Sequence, residues 1–238
     1  MICFLTSRTD IKETGEVNPA NGFVEELMHR VPNPCHALFI SSDPDAYEIM
    51  GHFAAMIRSG FEKIGLIFQS YGVLDGRNAA QAAELIRDSE LLILSGGHVP
   101  TQNRFFQNIG LDALMRGYDG IVIGISAGSM NSAAVVYAQP EEDGEATDPE
   151  YRRFLPGLGL TKTMLLPHYH DVKDNLLDGM RLIEDITLPD SVGKTFYAIP
   201  DGSYLLIDGS REELRGEAYR IRDGKMIKIA SDGYTVVL

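Results

Sequence analysis

In the stretch GIVIGISAGSM, residues 120–130, an apolar run ends at Ile125 and gives way through Ser126 to a set of small residues. An uninterrupted apolar run of this length reads as a strand buried on both faces, and the AGSMNSAAVV that begins at Ala127 has helical character. Gly124 and Gly128 flank Ser126 in the spacing G-x-S-x-G, where residues without Cβ let strand, turn and helix backbones crowd together while the serine projects above the sheet. A serine so placed is a nucleophile at the apex of a strand–turn–helix, or else the N-cap of the helix, a position that serine favours. The glycine spacing in this context favours the nucleophile.

The pattern repeats upstream. Short β-rich runs at ICFLT (2–6), HALFIS (36–41), KIGLIF (63–68), LLILS (91–95) and GIVIGI (120–125) alternate with amphipathic helical stretches at NGFVEELMHRV, DAYEIMGHFAAMIRSG, GRNAAQAAELIRD and TQNRFFQNIGLDALMRG. Apolar strands alternating with helices predict an α/β fold, a three-layer, doubly wound, mostly parallel sheet with helices on both faces. Beyond residue 160 the spacing predicts a helix near VKDNLLDGMRLIED and then strands at KTFYAI, SYLLID, EAYRIR and KMIKIA, the last two joined by the hairpin turn RDGK. These strands read as an antiparallel C-terminal extension of the same sheet. No Ser/Gly/Pro linker or internal repeat divides the chain, so residues 1–238 read as one domain. The polar segment 139–153 is the longest irregular stretch, and such loops in compact domains are commonly functional.

Composition narrows the function. A net charge of −13 with scattered Lys and Arg argues against nucleic-acid binding, and no apolar run is long enough for a membrane span. The N-terminal MICFLTS lacks a basic region and a cleavage site, so a cytoplasmic location is expected. Cys3 and Cys35 lie in or beside apolar runs and read as buried structural thiols. The H-E-x-x-H helix, the phosphate-binding loop and the dinucleotide-binding glycine turn are all missing, so no metal or organic cofactor is expected. Exposed apolar residues of the C-terminal strands offer a homodimer contact.

A serine nucleophile needs a base. His29 and His52 fall within helices and His36 opens a strand, whereas His168 and His170 in LLPHYH follow an apolar strand at the carboxyl edge of the sheet, where open α/β folds bind ligands. Alternation puts the two on opposite sides, and His168, directly after Pro167, is the preferred base. An orienting carboxylate is available among Glu141, Glu142, Asp143 and Glu145. The order serine, acid, histidine is that of the α/β-hydrolases, but no histidine follows His170 near the end of the chain, which counts against that fold.

GISAGS after a buried strand, SGGH (95–98) after the preceding one, and LPHYH together resemble the peptidase E family of aspartyl dipeptidases, with cyanophycinase a more distant relative. The resemblance implies a class I glutamine amidotransferase-like fold with a serine at the elbow, and a triad in which Ser126 and His168 match the family's serine and histidine. It implies an acid in the loop after the serine, with Glu141 first choice and Glu142 second. The family's glycine turn commonly reads GGGN, where this chain has Ser95, Gly96, Gly97 and His98. A Gly97 amide at the end of the neighbouring strand, with the Ala127 amide, would form a two-donor oxyanion hole, each donor lowering the barrier by about 3 kcal/mol. His98 is either a substrate contact or a helix cap.

Small peptides with an N-terminal aspartate are the implied substrates, and Arg104, Arg152, Arg153 and Lys173 are the cations nearest in sequence to meet one. Other dipeptides and isopeptide amides, a carboxylesterase, a glutamine amidotransferase and a non-catalytic binding module that retains the elbow are the alternatives. IPDGSYLL (199–206) is similar to a segment near the site in relatives, while Asp201 with Gly202 reads equally as a turn between strands.

Overall fold

The structure, a computed structural model, describes residues 1–11 and 14–238. In chain order the first elements are β1 (Ile2–Thr6), α1 (Phe23–Arg30), β2 (Cys35–Ile40), α2 (Tyr47–Lys63), β3 (Phe68–Leu74), α3 (Ala82–Arg87), β4 (Leu91–Leu94), α4 (Val99–Asn108), α5 (Leu111–Met115), β5 (Ile121–Ile125) and α6 (Ala127–Asn131). There follow β6 (Val135–Tyr137), β7 (Phe154–Pro156), β8 (Met164–Leu166), α7 (Tyr169–Val172), β9 (Leu176–Leu177), β10 (Met180–Arg181), α8 (Leu188–Asp190), β11 (Thr195–Ala198), β12 (Tyr204–Asp208), β13 (Arg211–Arg215), β14 (Ala218–Arg222), β15 (Lys225–Ala230) and β16 (Thr235–Val237).

The parallel strands β1, β5, β4, β2 and β3 lie side by side, and β12, β13 and β16 continue from β1 in antiparallel pairing to complete an eight-stranded sheet. Alternation along the strands builds a core on each face. Phe4, Phe39, Ile93 and Ile123 pack with Phe23, Leu27, Ala54 and Phe61 of α1 and α2. Leu5, Leu38, Ile40, Leu92, Leu94 and Val122 pack on the other face with Ile86, Phe105, Phe106 and Met115 of α3–α5. Helices therefore flank a mostly parallel sheet, as the alternating pattern predicts. Burying each of the large side chains contributes about 2–3 kcal/mol. Cys3 and Cys35 are buried free thiols within these cores, and burial pushes the first up to about 12 and the second to about 11. No helix among the described residues is long and apolar enough to cross a membrane.

The C-terminal region departs from a simple extension. β12, β13 and β16 join the main sheet, but β8, β11, β14 and β15 form a separate four-stranded sheet in which β8 and β11 run parallel. The RDGK turn closes β14 on β15, with Asp223 and Gly224 at φ 49° and 74° and Arg222 opposite Lys225, the two positive φ values of a type I′ hairpin. A third core, including Ala127, Met130, Tyr137, Leu166 and Phe196, packs the small sheet against α6. Tyr137 and Phe196 stack there with centroids 4.3 Å apart.

Three further expectations are corrected. The strand read at 63–68 begins instead at Phe68: Lys63 ends α2, Leu66 is buried in the connection, and β3 itself is an edge strand with exposed Gln69 and Ser70. The helix read over 101–117 is two helices, broken where Gly110 takes φ 65°. In place of a helix near 172–185 the chain makes the β9–β10 pair, with Asp178 and Gly179 at positive φ between them, followed by a π-type turn over Leu182–Thr187.

Candidate active site

The parallel strands end on one edge of the main sheet, and the polar residues of the site gather there. Ser126 follows β5 directly and caps α6, with φ 50° and ψ −111°, a backbone conformation that non-glycine residues rarely hold. The glycines around it are steric requirements. A Cβ on Gly124 would meet the Ser129 backbone at 2.9 Å, and one on Gly128 would meet the Leu94 carbonyl oxygen at 2.3 Å. Gly128→Ala is expected to destabilise the fold by about 1–3 kcal/mol or more through this overpacking, read as a lowered midpoint in urea unfolding.

Hydrogen bonds hold the elbow from both sides. The Ser126 amide donates to the Thr6 carbonyl (3.1 Å), and the Ser129 hydroxyl donates to the same oxygen (2.7 Å). The fully buried Asn131 donates to Gln102 Oε1 (2.9 Å) and the Val99 carbonyl (3.2 Å), and accepts from Asn103 (2.8 Å). Gln102 in turn donates to the Ser95 carbonyl (2.7 Å). This satisfied amide network ties α6 to α4 and to the Ser95–Gly97 turn, so the serine and the glycine turn are held in fixed relation.

His168 meets the serine. It lies just past β8 at φ 58°, and its Nε2 is 2.9 Å from Ser126 Oγ. His170 is turned elsewhere, with Nε2 3.0 Å from Glu217 Oε1. The carboxylate behind His168 is Asp201, whose Oδ1 is 2.8 Å from Nδ1. Asp201 also accepts a 2.6 Å hydrogen bond from the Ser7 hydroxyl, and Ser7 accepts one from the His168 amide (2.8 Å). Burial alone would raise the Asp201 carboxyl, but the hydrogen bonds from His168 and Ser7 outweigh it and hold the group below the ordinary aspartate range. Because the folded value is lowered, this array contributes stability fully present above about pH 4, the unfolded aspartate range, and lost as the pH falls through the folded value. A charged Asp201 accepts the Nδ1 proton and leaves Nε2 as the acceptor facing the serine hydroxyl.

Sequence and structure both bear on a family. The model of peptidase family S51 matches residues 3–215, almost the whole chain. The chain belongs to peptidase family S51. It is a serine peptidase. No curated protein gives a significant match. Among solved structures, a peptidase from an acI-B1 Actinobacterium is similar over 100% of this chain and 96% of its own, with TM-score 0.64 and 15% identity. A candidate peptidase E protein from Listeria monocytogenes EGD-e is similar over 96% and 98%, with TM-score 0.55 and 17% identity. At these identities the two structures speak to the fold, which is that of peptidase E.

In this S51 peptidase Glu141 is not the partner of His168. Its Oε1 accepts the Val99 amide at 3.1 Å, and the carboxylate beside His168 is Asp201 rather than the expected Glu141. The reason is strand pairing: β8 and β11 are parallel, with Leu166 opposite Ala198, so the turn that follows each strand lies beside the other. Glu142 does not fill the position either; its amide and that of Glu141 donate to Glu145 Oε2 (3.0 and 2.9 Å). Glu145 Oε1 is 2.8 Å from His98 Nε2, and His98 Nδ1 is 2.8 Å from the Thr101 hydroxyl. His98 thus braces the 139–153 loop against α4. Ser7 was not anticipated; the signal available was a small polar residue directly after the strand that pairs with β5.

A cavity of about 150 Å³ opens above the serine. Gly97, Ser126, Glu141 and His168 line it together with apolar side chains that include Val99, Met130 and Leu177. Gly97 has φ 153°, and a Cβ there would meet Ser42 Oγ at 2.3 Å. Ala127 is the first residue of α6, next to Ser126, where helix-start amides have no intrahelical acceptor.

Proposed function

We propose that this S51 peptidase hydrolyses short peptides through an acyl-enzyme on Ser126, with His168 as general base and then general acid and Asp201 orienting the imidazole. The observation that carries the reading is the unbroken line Ser126 Oγ–His168 Nε2 (2.9 Å) and His168 Nδ1–Asp201 Oδ1 (2.8 Å) at the wall of a cavity. In the first step the serine oxygen attacks the peptide carbonyl as Nε2 takes its proton; the imidazolium then protonates the departing amine. Water repeats the sequence on the acyl-enzyme and restores the serine.

The amides of Gly97 and Ala127 are proposed as the donors to the developing oxyanion. For Gly97 the support is its place on the cavity wall and its conformation, for Ala127 its position beside the nucleophile. The small cavity supports short substrates.

A fluorophosphonate probe tests the nucleophile. One adduct per chain is expected, mapped by mass spectrometry of the digest to the peptide that contains Ser126, with cleavage of dipeptides lost in step. A probe that leaves Ser126 unmodified sinks the reading.

A further inference from the structure

The loop between Ser126 and His168 carries a carboxylate that has no part in the proposed catalytic line. Glu141, Glu142 and Asp143 are exposed, whereas the Glu145 side chain turns inward and is 14% exposed. Its two oxygens gather donors from two separate segments. Oε2 accepts the backbone amides of Glu141 (2.9 Å) and Glu142 (3.0 Å), which closes the loop on itself directly after Pro140 of the cavity wall. Oε1 lies 2.8 Å from His98 Nε2, and His98 Nδ1 lies 2.8 Å from the Thr101 hydroxyl. With the proton on Nε2 the imidazole donates to Glu145 and accepts from Thr101, so both contacts are satisfied. Burial raises the Glu145 carboxyl, but the two amides and His98 outweigh it and hold the group below the ordinary glutamate range.

His98 directly follows Gly97, the proposed oxyanion donor, and occupies the N-cap position of α4. The glycine turn is fixed from the α4 side by Gln102, which donates to the Ser95 carbonyl (2.7 Å), and from beyond β2 by Ser42, whose Oγ a Cβ on Gly97 would meet at 2.3 Å. On the side of the loop it is held through His98 by Glu145, with the Glu141–Val99 bond one residue further on. The loop is itself anchored, because Asp178 between β9 and β10 accepts the amides of Gly144 (2.8 Å) and Ala146 (3.0 Å) on either side of Glu145. The carboxylate is therefore a fixed post.

We propose that Glu145 and His98 are positioning residues: the carboxylate, held by the loop, fixes His98 and through it the direction of the Gly97 amide, so that the seating of the loop and the oxyanion site are set together. The proposal rests on Ser126 as the nucleophile and Gly97 as its oxyanion donor. Neither Glu145 nor His98 lines the cavity, so each acts through the backbone of the glycine turn. Misplacing a group in an active site by about 1 Å costs about 10²-fold in rate, so a shift of the turn far short of unfolding is readable in kcat.

The test compares full-length variants in peptide hydrolysis and in the rate of fluorophosphonate labelling. Glu145→Ala is expected to lower kcat by about 10–100-fold with KM changed by less than about threefold. Labelling of Ser126 should slow by a similar factor, since the phosphonyl oxygen occupies the oxyanion site. Glu145→Gln keeps an acceptor for the two amides and a polar group toward His98, and is expected to stay within about threefold of the parent. His98→Ala should repeat the loss, and the double variant should be no worse than either single, the sign that both side chains act through one bond. Circular dichroism and urea midpoints show which variants are folded, and His98→Ala carries the test should Glu145→Ala not fold. Parent-like kcat and labelling in the alanine variants, a change confined to KM, a glutamine variant as impaired as alanine, or losses that add in the double variant overturn the proposal. A parent that is not labelled at Ser126 removes the nucleophile and this proposal with it, whereas a labelled parent with unaffected variants removes this proposal alone.

Discussion

Ser126→Ala should lower kcat for short peptides by about 10⁴–10⁶-fold, the scale seen when a triad serine is removed. Among the described residues no other side chain lining the cavity carries a hydroxyl or thiol, and the hydroxyl that His168 Nε2 faces at 2.9 Å belongs to Ser126. Alanine keeps the Cβ and so keeps the steric environment of the turn, and the amides that hold the elbow are backbone groups or belong to Asn131 and Ser129. The variant should therefore retain the circular dichroism and thermal midpoint of the parent. Steady-state kinetics on a dipeptide set measures the loss; turnover within tenfold of wild type would remove the serine from the mechanism.

Asp201→Asn is the second large effect, a drop in kcat of about 10³–10⁴-fold. Asparagine preserves size, but its amide can present a donor to Nδ1 and so favour the tautomer with the proton on Nε2, which cannot accept from the serine. Ser7, which donates to the same carboxylate at 2.6 Å, fixes which oxygen faces the histidine. The loss should persist at saturating substrate, since Asp201 acts on the imidazole. A set of variants in which changes at Glu141 collapse kcat while Asp201→Asn turns over normally would return the orienting role to the loop.

Much of the architecture was legible because β1, β2, β4 and β5 are central strands buried on both faces, and continuous apolar runs mark them directly. β3 was misplaced for the complementary reason. An edge strand alternates apolar with polar residues, and the denser apolar run beside it, containing Leu66, belongs to the connection that plugs the core. The stretch at 172–185 has helical composition, yet positive φ at Asp178 and Gly179 turns it into a hairpin. At the site, Ser126 and His168, whose side chains the structure brings to 2.9 Å, were picked out because each sits in a local motif. The carboxylate beside His168 was not chosen, although IPDGSYLL was read as similar to a segment near the site, because what brings Asp201 to His168 is the parallel pairing of β8 with β11, a relation between segments that local spacing does not encode. Proximity in sequence to Ser126 favoured Glu141, which does enter the cavity, but by another wall.

The proposed catalytic line crosses the seam between the two sheets. Ser126 hangs from β5 of the large sheet, His168 from β8 of the small one, and Asp201 lies where the chain passes from β11 back to β12. Each sheet alone carries a fragment of this line, so the 2.9 Å gap between hydroxyl and imidazole acts as a gauge of how the small sheet is seated against α6 through the core that includes Tyr137, Leu166 and Phe196. Tyr137 and Phe196, which lie outside the cavity lining, thus set the alignment of the proposed reacting groups, and slippage there is expected to silence the enzyme while both sheets stay folded.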